Sequence, residues 1–238
     1  MNYLPEKSNW FNPKIEYLFN SLIYEYDIKN AGFSIIKEFN LLPSDEIMKL
    51  SSMEKTIQTI EIGKIMGRNQ LFSRQLLDHF SMIRKFFIDS NYITDNDIIA
   101  VKKDAIFSTK ECSELKFGLV EFRIKNKYSS FIRFPCNNNL EIYYNDGCKL
   151  EVKGIAESNL NKHRLYILNF IQKMIKMIES KNSTVKNYFR NFLMDYKWFN
   201  LETDFYLRFN NLSDSIDPLF NYQQVLLPFA QIIIKERI

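Results

Sequence analysis

Glycine is scarce in this chain, six in 238 residues, and that scarcity removes several chemistries at once. Phosphate-cradling loops need glycine so that backbone N–H groups can close on the anion. Neither Gly-x-x-x-x-Gly-Lys-Ser/Thr nor Gly-x-Gly-x-x-Gly occurs, which excludes the P-loop and dinucleotide-binding classes. Cysteine is sparser still. Cys112, Cys136 and Cys148 form no Cys-x-x-Cys pair, and their odd number fits a reduced, intracellular protein. The two histidines, His79 and His163, stand far apart without a cysteine neighbour, so a zinc site lacks its ligands and both read as structural. No Gly-x-Ser-x-Gly elbow and no cysteine, histidine and acid arrangement is visible, so covalent nucleophilic hydrolysis has no support. Long apolar runs are missing too. The opening Met-Asn-Tyr-Leu-Pro-Glu-Lys has no signal core, and the run from Val225 to Ile234 is broken by Pro228 and Gln231. The expectation is a cytoplasmic protein that neither crosses a membrane nor is exported.

What is present is an ordinary globular composition, 46% hydrophobic and 25% charged, with a rich 15% of aromatics. The length suffices for one good core or one domain with subdomains. The net charge of +4 is localised: between Val101 and Arg164 there are twelve Lys or Arg and eight Asp or Glu, and the rest of the chain is balanced. A basic surface there suits a polyanionic partner, although solvated surface charge accounts for it as well.

Patterning divides the chain. Residues 1 to 20 read as a loop and a short helix with Trp10, Phe11, Ile15, Leu18 and Phe19 available for a core. A strand-like run ends at Asp27, Ala31 to Phe39 reads as a short helix, and Ser44 is placed to cap the next one. From Met53 to Asn91, Ile57, Ile60, Lys64, Leu71, Leu76, Leu77, Phe80, Ile83 and Phe87 recur at helical spacing, with a break near Gly67 to Asn69. Their polar faces carry Lys55, Lys64, Arg68, Arg74, Arg84 and Lys85, read mostly as solvated charge. From Ile98 to Val152 short β-rich runs alternate with turn residues such as Asn137-Asn138-Asn139 and Asn145-Asp146-Gly147, which reads as an antiparallel meander. From Glu157 the pattern is helical again, with Leu165, Leu168, Ile171, Ile175 and Ile178 in one stripe, a second helix from about Ser183 and a last one after Pro218.

Two stretches stand out chemically. Leu22-Ile-Tyr-Glu-Tyr-Asp27 and Ile98-Ile-Ala-Val-Lys-Lys-Asp104-Ala-Ile-Phe each deliver an acid at the end of a strand-like run, the second at a hairpin tip. Side by side in one sheet, two such carboxylates could bind divalent cations, which want oxygen ligands and which stabilise attacking and leaving oxygens in phosphoryl transfer. A hairpin aspartate is equally ordinary turn chemistry. Tyr128, Phe131, Phe134, Tyr143 and Tyr144, interleaved with Lys125, Lys127 and Arg133, could stack bases or form the core face of a sheet.

Read together, these stretches resemble the palm of family B DNA polymerases. Asp27-Ile-Lys-Asn-Ala-Gly-Phe-Ser34-Ile is similar to that family's Asp-x-x-Ser-Leu-Tyr-Pro-Ser-Ile, and Val101-Lys-Lys-Asp104-Ala-Ile-Phe to its Asp-Thr-Asp-Ser-Val-Phe hairpin. Lys125-Asn-Lys127-Tyr128 is similar to its Lys-Lys-x-Tyr element, and Val152-Lys153-Gly154 to its Lys-Gly element. The resemblance implies an α+β fold: a palm-like antiparallel sheet from residues 1–52 and 95–155, a helical fingers-like insertion at 53–94 and a helical thumb-like region at 156–238. It implies magnesium- or manganese-dependent nucleotidyl transfer on a nucleic acid primer. Asp27 and Asp104 would hold the metal and carry catalysis. Lys64, Arg68 and Gly32 would meet the nucleoside triphosphate, and Lys125, Lys127, Tyr128 and Lys153 the nucleic acid.

The departures are specific. Lys102 stands where the family has the first acid of its Asp-Thr-Asp pair, and Gly32 where it has a tyrosine under the sugar, which implies ready acceptance of ribonucleotides. The family's Lys-x-x-x-Asn-Ser-x-Tyr-Gly motif has only Lys64, Arg68 and Asn69 as loose counterparts, and no proofreading exonuclease fits before Asp27. The small size suggests a phage or mobile-element source. The alternative is a catalytically silent palm that binds nucleic acid or a partner protein.

Overall fold

The structure, a computed structural model, describes residues 9–134, 140–145, 150–153, 172, 175–180 and 184–200. It is α+β, built on antiparallel pairings. The chain divides into two compact units: one comprises Met1–Ile15 and Leu22–Lys127, the other Glu16–Ser21 and Tyr128–Ile238.

In the first unit the strands are β1 (Asn9–Phe11), β3 (Ile23–Ile28), β4 (Ile98–Lys102), β5 (Ala105–Ser108), β6 (Lys116–Phe117) and β7 (Val120–Tyr128), whose last residue falls in the second unit. They form a six-stranded sheet in the order β1-β4-β5-β3-β7-β6. The acid-bearing β3 therefore lies between β5 and β7. The region after Ile98 is for that reason not one continuous meander: β3 pairs with β5 through Tyr24 opposite Ser108 and Asp27 opposite Ala105. Nor do residues 9–20 contain a helix. They form β1 and β2 (Tyr17–Leu18), because β1 finds a partner in β4, with Trp10 opposite Val101. Buried Asn12 fixes that pairing by donating its amide to the Asp95 and Ile98 carbonyls at 2.8 and 2.9 Å.

One sheet face is apolar and packs under helices α1 (Ala31–Phe39), α2 (Ser44–Ser51), α3 (Lys55–Arg68) and α4 (Gln70–Ser90). Tyr24, Tyr26, Ile28, Val101, Ile106, Val120 and Phe122 alternate onto this face and meet Ile35, Ile36, Leu76, Phe80, Ile83 and Phe87. The break between α3 and α4 falls at Asn69, whose extended backbone ends one helix while its side chain accepts from the Phe72 N–H at 3.0 Å to start the next. Ser44 is not an N-cap. Pro43 holds that position, its extended backbone leading in while Ser44 begins the helix. Ile57, Ile60, Leu71 and Leu77 face solvent, since α3 instead buries Gln58 and Ile62. Gln58 is satisfied there, donating to the Leu50 carbonyl and accepting from Asn30.

The second unit holds a four-stranded sheet in the order β10-β9-β8-β2, from β2, β8 (Ser130–Phe134), β9 (Leu140–Tyr144) and β10 (Leu150–Lys153). Residues 175–179 are helical with Ile175 and Ile178 buried, and α5 spans Val185–Lys197. The turn at 137–139, the rest of the 165–178 stripe and the helix after Pro218 lie outside the described residues.

Candidate active site

Asp27 is the next-to-last residue of β3, and the chain turns sharply after it: Asn30 adopts a left-handed conformation with φ 48° and hands the chain to α1. Asparagine tolerates that region better than most side chains. Across the sheet, β4 and β5 are joined by a turn at Lys103 and Asp104. The Ile28 N–H donates to the Asp104 carbonyl at 3.1 Å, which stitches this turn to the end of β3. Two acids remote in sequence thereby share one corner of one sheet.

The turn is held from beneath as well. Arg84 on α4, expected among the solvated helix charges, is 1% exposed and donates from Nη1 to the Lys103 carbonyl at 2.6 Å. A guanidinium keeps its charge when buried and needs acceptors, and a hairpin-turn carbonyl supplies one.

Along the other edge of β3 runs a ladder of ion pairs with β7. Lys29 Nζ lies 2.7 Å from Glu121, Arg123 Nη2 is 3.4 Å from Asp27 Oδ2, and Lys125 Nζ is 3.1 Å from Glu25. The pairs step by two along each strand in opposite directions, as directly opposed residues on one face of an antiparallel pair must. Glu25, 1% exposed, also accepts from the Asn126 amide. Asp27 is more open, with 13% of its side chain exposed.

The electrostatics separate Asp27 from its neighbours. Burial pushes its carboxyl above the usual aspartate value, and the charge of Asp104 pushes it further, while Lys125 and Arg123 pull it back. The two carboxylates therefore repel each other at a site where cations are welcome. That donor set fits magnesium or manganese, which bind through one or two carboxylates and complete their octahedron with water and substrate phosphate oxygens. Among the described residues no group of three or more His, Cys, Asp or Glu is placed for a metal ion. Lys102 sits across from Ala105 and is not among the residues lining the cleft beside the acids; its Nζ lies 3.9 Å from the centre of the Phe11 ring.

Beside the acids opens a cleft of about 380 Å³ between the hairpin turn, α1, α3 and α4. That volume is in the range of small-molecule sites. Its lining includes Asp27, Asp104, Asn30 and Gly32, an apolar wall of Phe33, Ile62, Met66 and Phe80, and two lysines, Lys55 and Lys103. A side chain at Gly32 would meet Ile62 at 3.6 Å, an ordinary contact, so glycine leaves room in the cleft without being demanded by packing.

The structure thus brings Asp27, Asp104 and Gly32 together. Lys64 and Arg68 do not line the cleft, and Lys64 pairs instead with Glu61 at 2.6 Å. Lys125 and Lys127 project from β7 on the ladder face: Lys125 is committed to Glu25, and Lys127 Nζ lies 5.0 Å from the Tyr24 ring centre. In the second unit Tyr128 is buried with its hydroxyl donating to Glu151, and Lys153 pairs with the same carboxylate at 3.2 Å. The aromatics Phe131, Tyr143 and Tyr144 are likewise buried, which is the core-face reading. Arg84 and Arg123 contact the corner and Lys55 and Lys103 line the cleft, and the sequence motifs left all four unmarked. Only the ladder had a written trace: Glu25-x-Asp27-x-Lys29 and Glu121-x-Arg123-x-Lys125 are complementary when one is reversed.

A family model described as Bacteriophage PBS1 gene 130 protein matches residues 1–219 of the chain. No curated protein matches it.

Proposed function

The chain belongs to the Bacteriophage PBS1 gene 130 protein family, and from that premise, which names a source and not a reaction, we propose metal-dependent nucleotidyl transfer on a nucleic acid primer by a palm-like sheet. The observation that carries the reading is that Asp27 on β3 and Asp104 in the adjoining β4–β5 turn share one corner and line the same cleft. The helical α3–α4 pair takes the part of fingers, and the helical residues after 156 that of a thumb.

In this reading Asp27 and Asp104 hold magnesium or manganese. The bound cation supplies Lewis acidity toward a phosphoryl oxygen and charge stabilisation in the transition state. The chain's own groups do the rest. Lys55, first residue of α3, and Lys103, in the hairpin turn, flank the acids and take part in no salt bridge among the described residues; they orient the triphosphate. Lys64 and Arg68, which do not line the cleft, have no part in this reading. Phe33, Ile62, Met66 and Phe80 offer the nucleoside an apolar wall. Gly32 offers the sugar no obstruction, so matched ribo- and deoxyribonucleotides are used with similar efficiency, and Gly32→Tyr selects against the ribonucleotide. Lys125 and Lys127 on the exposed ladder face meet the strand backbone.

Primer extension with magnesium or manganese tests this. Incorporation by the wild type that is lost in Asp27→Asn and in Asp104→Asn supports it, and incorporation surviving both substitutions sinks it. A second reading, a silent palm that binds nucleic acid, is favoured by Lys102 over Phe11 in place of a third acid. Primer-template binding by an inactive wild type selects that one.

A further inference from the structure

The ladder places a cation directly on one of the two acids. Arg123 reaches Asp27 through a single nitrogen at 3.4 Å, long for a charge-assisted hydrogen bond and without the paired geometry of a forked arginine–carboxylate contact. Its side chain is 46% exposed, so nothing in the packing prevents the guanidinium from swinging away. Lys125, one rung further, is by contrast tied to a sealed carboxylate, Glu25. Position 102, which could have given the corner a third acid, is a lysine stacked over Phe11. The corner thus has oxygen donors for one hard cation and already carries a monovalent substitute.

We propose that Arg123 is a resident counter-cation of Asp27 that a divalent cation must displace, so that the corner takes one divalent ion per chain in competition with the guanidinium. The proposal rests on the two-carboxylate reading above. Arginine at this rung keeps Asp27 compensated in the metal-free protein. It also weakens metal binding, because a positive charge a few ångströms from the incoming ion must be moved or endured.

Titration of Mn2+ into the full chain, with free Mn2+ followed by electron paramagnetic resonance, tests this without recourse to activity. One Mn2+ per wild-type chain is expected. Arg123→Gln and Arg123→Met, both checked for folding by circular dichroism, should tighten binding about 3- to 10-fold, as removal of one partly screened charge at this range allows. Arg123→Lys, which keeps the charge, should stay within about twofold of wild type. Asp27→Asn and Asp104→Asn should weaken binding. Unchanged or weaker affinity in both charge-removing variants, with Asp104→Asn still harmful, overturns the competition and leaves the two acids as ligands. Two ions per wild-type chain overturn the stoichiometry. Absence of Mn2+ binding in wild type and in both charge-removing variants overturns the metal reading itself, and the competition with it.

Discussion

The six-stranded and four-stranded sheets carry similar charged residues and use them oppositely. In the four-stranded sheet both described acids are closed on neighbours, Glu151 by the Tyr128 hydroxyl and Lys153 and Glu141 by the Tyr143 hydroxyl at 2.8 Å, and Glu179, on the helical stretch 175–179, takes the Ser129 and Ser130 hydroxyls. Such networks specify packing and leave little for a ligand. At the corner of the six-stranded sheet, Asp27 and Asp104 repel each other, Arg123 holds Asp27 loosely, and Lys55 and Lys103 line a cleft. Charge that the fold leaves unspent in this way is what a charged substrate can use.

The sharpest way to break this comparison is to remove acids from each sheet. On the function proposed above, Asp104→Asn should lower metal-dependent incorporation at least about a thousandfold, since it takes away one of the two proposed metal ligands. Glu151→Gln in the second sheet should leave incorporation within about threefold. Equal losses measured by primer extension would erase the distinction.

Next in size is the support of the corner. Arg84→Met leaves the Lys103 carbonyl without its buried donor and should cost about 2–4 kcal/mol in denaturant unfolding. Tyr128→Phe, which removes one hydroxyl donated to Glu151, should cost about 1 kcal/mol. The two values in the reverse order would mean that the corner is the more forgiving region.

Salt separates the surfaces. Lys127→Ala on β7 should reduce the slope of log affinity for primer-template against log salt by about 0.7–0.9. Lys153→Ala should change it little, because Glu151 holds that ammonium at 3.2 Å with both groups largely covered, whereas the pair of Lys127 with Glu111 is longer, at 3.7 Å, and exposed. A wild-type slope in Lys127→Ala would show the ladder face to be merely solvated.

The smallest effect is on stability against pH. The folded value of Asp27 lies above its unfolded value, so the native state binds this proton more tightly. Its ionisation therefore opposes folding as pH rises through the window between the unfolded value of 3.8 and the raised folded one. With divalent cations chelated, Asp27→Asn should unfold at slightly higher temperature than wild type at neutral pH. The difference should fade below that window. A lower melting temperature for Asp27→Asn at pH 7 would contradict this.

Much of the first unit was readable because its signals are local. The strand into Asp27, the helix Ala31–Phe39, the hairpin around Asp104 and the helix break at Asn69 follow from alternation, turn chemistry and capping within a few residues. What escaped depends on distant partners. Arg84 has the same helical spacing as solvated lysines and is buried only because a hairpin turn settles on it. The segment before Tyr17 lacked any strand signature strong enough to outweigh a helix reading until β4 was there to pair with it. Lys64 and Arg68 were chosen by analogy of motif, whereas the cleft is lined by whichever residues the packing of α3 turns inward, and those are Lys55, Thr59, Ile62, Gly63 and Met66.

The interleaving of β3 between β5 and β7 also bears on how the chain acquires its shape. Neither edge of β3 can be satisfied until Ala105–Ser108 and Val120–Tyr128 exist, and β1 waits equally for β4. Pairings of such high sequence separation carry a large loop-closure cost and slow folding. During synthesis, α1 to α4 emerge before β4, β5 and β7, so the helices wait with most of the sheet they will cover still unmade. Asp27 and Asp104 then meet only when β5 pairs with β3, and the ion-pair ladder over Asp27 closes only when β7 joins, so a chain truncated before Ile98 is incapable of forming the corner at all.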